Sequence, residues 1–81
     1  MKRHMRLIRK ILEHLEARES LGPAPVPMVP GFSDEEVSYH VALCHQAGYV
    51  STCAGSPVLK LSHLTMAGHD ALDELRANPP D

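Results

Sequence analysis

No stretch of the 81 residues approaches the ~18 consecutive apolar residues of a membrane-spanning helix, so no membrane partner is expected. There are only two cysteines, Cys44 and Cys53. With no basic-then-apolar leader at the N-terminus, they point to a reducing cytoplasm rather than secretion. Positive charge is not in excess either. Eight Lys and Arg against ten Asp and Glu leave a net charge of -2, which gives no overall pull toward nucleic acid, so any basic surface has to be local. Catalytic signatures are missing as well: there is no G-x-S-x-G, no phosphate loop and no H-E-x-x-H. His4, His14, His63 and His69 are scattered over different elements, and Asp70, Asp73 and Glu74 share a helix that would be solvated. Neither an enzyme nor a bound cofactor is expected, and no internal repeat is visible.

What is present is globular in composition, with 43% hydrophobic and 22% charged residues. The length fits one small domain over residues 1–81, able to bury only about 60–65% of its unfolded surface. From Arg3 to about Arg18, Met5, Ile8, Leu12 and Leu15 recur at helical spacing, with Leu7 and Ile11 widening the stripe. The opposite face collects Lys2, Arg3, Arg6, Arg9 and Lys10, then Glu13 and Glu16. Positive charges near a helix N-terminus oppose the macrodipole. Helix stability therefore does not account for this cluster, which leaves a phosphate or acidic-partner contact or an ordinary solvated face. The apolar arc, Met1 included, is broader than one small core needs, which implies a homodimer through this helix.

In GPAPVPMVPG, residues 22 to 31, Pro23, Pro25 and Pro27 remove the donors from one edge and leave Ala24, Val26 and Met28 to pair on the other. That pattern predicts an edge strand, or a stiff linker if nothing pairs with it. A second helix follows, announced by FSDEEV: Ser33 is the N-cap, Glu36 closes a capping box, and Phe32 with Val37 forms the hydrophobic staple. It runs to about Ala47 with Val37, Val41, Leu43 and Cys44 inward, and Gly48 stands where a left-handed C-cap residue is wanted. Residues 49 to 64 predict a hairpin around AGSP, with Val58, Leu59, Leu61 and Leu64 on its apolar side. Thr65 caps a last helix with Gly68, Leu72 and Leu75 on one face, and Asn78 before Pro79 ends it.

Ser38, His40, Val41, Cys44, Ala47, Gly48, Tyr49 and Val50 follow the pattern S-x-H-L-x-x-L-x-x-A-G-L-V. This segment resembles the helix-to-wing stretch of MarR-type and arsenic-sensing repressors. Leu64-Thr65-Met66-Ala67-Gly68 is similar to the L-T-x-x-G that opens their next helix. As a whole, from MKRHMRLIRKIL onward, the chain resembles a family of short bacterial and phage proteins of unknown function with a winged-helix pattern. The resemblance implies an α+β, winged helix-turn-helix-like fold, with three helices and a small antiparallel sheet made of the wing hairpin and an edge strand. It also implies a DNA-associated regulatory or accessory protein contacting double-stranded DNA. By the likeness to those repressors, the second helix would be the one to read bases, with Ser38, Tyr39 and Gln46 as the residues able to touch them.

The residues themselves qualify that implication. The second helix carries no Lys or Arg and begins with Asp34, Glu35 and Glu36, which suit the helix dipole but repel phosphate. A separate short helix before it is not expected either. The basic face of the first helix is the better electrostatic candidate for DNA. The alternative is a winged-helix protein-protein interaction module without DNA binding, using the acidic cap and the basic face as docking surfaces. His40 and Cys44 lie one turn apart and offer a nitrogen and a sulfur to zinc. Cys44, however, occupies a leucine position of the pattern and no further ligand pair accompanies it, so a small buried hydrophobe explains it better. Neither a metal site nor a Cys44 to Cys53 disulfide is expected.

Overall fold

The computed structural model describes residues 1–18, 27–53 and 60–79. The elements run α1 (Met5–Glu16), α2 (Asp34–Gln46), β1 (Val50–Cys53), β2 (Lys60–Leu64) and α3 (Met66–Ala77). This is an α+β architecture of three helices and a two-stranded antiparallel sheet, compatible with a winged helix in which β1 and β2 form the wing. Of the expected edge strand, residues 22–26 lie outside the described residues. Residues 27–29 are irregular and 30–32 form a turn, so no strand exists there. Pro27 and Pro30 bring no N–H to a ladder, and Met28 is 89% exposed.

The first helix is shorter than its apolar periodicity predicts, because Lys2 and Arg3 precede it and His4 is its N-cap, without a side-chain cap bond. Leu7, Ile8, Ile11, Leu12 and Leu15 are all buried. The homodimer expectation drew on surplus apolar surface along this helix. The chain's own core covers that arc, leaving Met1 exposed and Met5 partly open.

Both ends of α2 are closed by local hydrogen bonds. At the start, the Glu36 N–H donates to Ser33 Oγ and the Ser33 N–H donates to Glu36 Oε1, both at 3.2 Å, which is the reciprocal capping box. At the end, Gly48 has φ +78°. Its N–H donates to His45 O while the Tyr49 N–H donates to Cys44 O, the paired bonds of a Schellman motif. The buried stripe is Val37, His40, Val41 and Cys44, with Leu43 only half-buried. His40 takes the inward place that the sequence assigns to Leu43.

The wing is irregular in a useful way. Val50 pairs with Leu64 and Ser51 with His63, but Thr52 pairs with Leu61, so Ser62 is an extra residue on β2. A bulge interrupts the two-residue alternation. Leu61 and Leu64 can therefore both face the core, although in a regular strand an offset of three would put them on opposite faces. The bulged Ser62 carbonyl accepts from Arg18 Nη1 at 3.1 Å, which ties the wing to the end of α1.

The start of α3 is packed on the α2–β1 turn. Thr65 donates its backbone N–H to Tyr49 O at 3.0 Å and its hydroxyl to Gly48 O. The same Thr65 Oγ1 accepts from the Gly68 N–H at 3.0 Å, as an N-cap does. A side chain at Gly68 would place its Cβ 2.0 Å from Tyr49 O, so this approach requires glycine.

Candidate nucleic-acid interface

The five basic residues grouped on one face by the helical wheel divide into four settings. Arg9 is not a free cation: its Nε lies 3.7 Å from Glu13 Oε1, one turn along α1 and too long for a hydrogen bond. Glu13 also faces Arg76 Nη2 at 3.6 Å. Arg76 in turn grips Glu16 with two bonds, Nη2 to Oε1 at 2.7 Å and Nη1 to Oε2 at 3.1 Å, which fasten α3 to α1. These Arg76 hydrogen bonds hold the Glu16 carboxyl below its ordinary range and raise the Arg76 guanidinium. The C-terminal half of the α1 face thus neutralises itself.

Arg6 and Lys10 line an open groove of about 650 Å3 between α1 and residues 27–32, and the Arg6 guanidinium lies 6.0 Å from the Phe32 ring centroid. Arg3, which precedes α1, lines a separate, smaller groove with Leu43 and Gln46 of α2 and its C-cap Ala47. Lys2 is exposed just before α1. Among the described residues, Lys2, Arg3, Arg6 and Lys10 are all exposed and none forms an ion pair.

Ser38, Tyr39 and Gln46 are exposed on α2. Arg3 and Gln46 line the same small groove. The N-terminal segment is held there by His40, which is fully buried. Its Nδ1 lies 2.7 Å from Glu36 O and its Nε2 accepts the His4 backbone N–H at 2.8 Å. Nδ1 must therefore carry the proton, because a carbonyl only accepts and Nε2 is already receiving. The His4 ring stacks on His40 at 5.7 Å and tilts against Phe32 at 5.5 Å, while Tyr39 meets His40 edge-on at 5.4 Å. His40 was legible in the sequence as a metal ligand to be weighed. Its role as the anchor of the N-terminal segment was not, because its partner is a backbone N–H 36 residues away.

Both ring nitrogens of His40 are engaged by backbone, and burial pushes the Cys44 thiol up to about 11. Cys44 is a free, buried thiol. Among the described residues no three His, Cys, Asp or Glu side chains converge as metal ligands, and no helix is long and apolar enough to cross a membrane.

Three helices, a two-stranded antiparallel sheet and a basic N-terminal cluster make up a small α+β protein. The chain belongs to the family described as hypothetical protein (DUF2513), whose model matches residues 2–79. It is 38% identical over 81 residues to an uncharacterized protein of Haemophilus influenzae, a match that covers 94% of this chain and 69% of that protein. No solved structure matches.

Proposed function

We propose that this is a cytoplasmic, non-enzymatic, DNA-associated regulatory or accessory protein of bacterial or phage type, holding double-stranded DNA by its phosphates more than by its bases. The observation that carries the reading is the set of four exposed cations, Lys2, Arg3, Arg6 and Lys10, around the start of α1, while Arg9 and Arg76 are taken up by Glu13 and Glu16. Phosphate contacts position a protein without conveying sequence, and an α2 that begins with three carboxylates is poorly suited to entering a groove. The scaffold is kept and ordinary base reading by α2 is lost. The test is binding to duplexes of varied sequence. Tyr39→Ala and Gln46→Ala should leave affinity nearly unchanged across them. A sequence preference that collapses on Tyr39→Ala in a folded protein would overturn the reading.

A second reading, a winged-helix protein-protein module without DNA binding, draws support from Asp34 and Glu35, which are exposed and form no ion pair among the described residues. Neutralising both should strengthen DNA binding under the first reading. Under the second it should weaken a complex with a basic partner, mainly by slowing association. Ser33 and Glu36 stay intact in that test, because the capping box is worth ~1 kcal/mol of stability.

A further inference from the structure

The groove between α1 and residues 27–32 has two unlike walls. One is a row at four-residue spacing along α1, Arg6, Lys10 and His14, which faces one direction because four residues make about one turn. The other is apolar, built by Met28, Val29 and Phe32. Glu13 also borders the groove but is engaged with Arg9 and Arg76. Arg6 and Lys10 therefore present positive charge with no ion pair among the described residues. Met28 is the most exposed large hydrophobic side chain among them, at 89%.

We propose that this groove is a docking site for an acidic peptide segment of a protein partner, one that sets a bulky apolar side chain against Met28 and Phe32 and its carboxylates against Arg6 and Lys10. Charge complementarity selects an acidic occupant, and the apolar wall selects a peptide over a nucleic acid. A phosphate backbone offers charge for the α1 side but nothing that gains from burying a methionine and a phenylalanine edge. A volume of about 650 Å3 suits one or two apolar side chains with their backbone. Arg6, already over the Phe32 ring, is positioned to grip a carboxylate while keeping that stack. This inference goes beyond DNA association and stands without it. Where both hold, an acidic peptide covers Arg6 and Lys10 and competes with DNA for them.

The test is fluorescence anisotropy with a short fluorescein-labelled peptide carrying Asp and Glu around a central Leu-Phe pair. Two control peptides accompany it, one with Ser in place of Leu and Phe, the other with Asn and Gln in place of the acids. Full-length protein should bind the first peptide at least roughly tenfold more tightly than either control, as burial of one large apolar side chain or loss of charged hydrogen bonds implies. Met28→Ser and Lys10→Glu should each weaken binding by a similar factor. Met28 is solvent-exposed, so its replacement leaves folding intact, which the melting temperature checks. Equal binding of the Ser control, or affinity unmoved by Met28→Ser, would overturn the proposal. So would a Met28→Ser effect on duplex DNA and none on the peptide, which would make the groove a nucleic-acid site. Failure of the protein to bind DNA in any form leaves these outcomes as decisive as before.

Discussion

Replacing Gly68 by alanine is the sharpest test of how the wing and α3 are joined. In an open helix the change would stabilise the chain by roughly 1 kcal/mol through propensity alone. Here the added Cβ would stand 2.0 Å from Tyr49 O, against the 3.4 Å at which ordinary contact begins, a shortfall of about 1.4 Å. The obstacle is backbone, so no rotamer change relieves it. Overpacking of this kind costs about 1–3 kcal/mol. Moving α3 away also stretches the Thr65 N–H to Tyr49 O bond and the Thr65 hydroxyl to Gly48 O bond, each worth about 1 kcal/mol. Set against the propensity gain, the net loss is about 2–4 kcal/mol, out of the roughly 4–12 kcal/mol that a chain of this length commands. Thermal unfolding followed by circular dichroism should show a fall of roughly 10 to 30 °C. Gly31→Ala is the control, since nothing lies near its Cβ and only its φ of +89° resists, at about 1–2 kcal/mol. A Gly68→Ala protein that melts at or above the Gly31→Ala protein would refute the close approach.

Three further outcomes follow from the same geometry. His40→Leu keeps the volume but removes the acceptor of the His4 N–H, so it should cost about 1–3 kcal/mol and abolish slowed hydrogen exchange at that amide; retained protection would show that the anchor lies elsewhere. In a Cys53→Ser background, folded protein should resist thiol reagents. Because the Cys44 value is raised from 9.0 to about 11, stability should be fully present below the lower value and fall by on the order of 2–3 kcal/mol as pH rises through the upper one; rapid labelling at neutral pH would contradict this. Arg76→Ala should lower the melting temperature at neutral pH. Since Glu16 is depressed, its contribution exists above the ordinary carboxylate value and is lost as pH falls through the folded one, so the gap between wild type and variant should close in acid; a gap constant with pH would assign Arg76 a packing role only.

Much of the fold was legible because its signals are local. The Ser33 to Glu36 box, the glycine at 48 and the Thr65 cap each act within a few residues, and all three are formed as read. Gly68 was legible as part of the apolar face of the last helix, although the sequence does not show that its neighbour is the Tyr49 carbonyl. What escaped reading is long-range. Proline alternation suggested strand donors, but without a partner strand Met28 stays open to solvent. The wheel placed Arg9 with its basic neighbours, although Glu13 and the distant Arg76 draw it into a closed network. The alternation of β2 concealed the bulge at Ser62, because a bulge depends on pairing rather than on composition. The exposed positions of Ser38, Tyr39 and Gln46 match the helical pattern, and the approach of Arg3 to Gln46 depends on the His4–His40 bond, which no spacing reveals.

The salt dependence of duplex DNA binding tests the central claim most directly. If Lys2, Arg3, Arg6 and Lys10 each neutralise a phosphate, log affinity should fall with log salt at a slope of about -3.6, since each contact adds about -0.9. The double reversal Arg6→Glu and Lys10→Glu should weaken binding uniformly across duplex sequences and bring the slope to about -1.8 or shallower. Absence of binding at low salt, or a double variant with unchanged affinity and slope, would contradict the account.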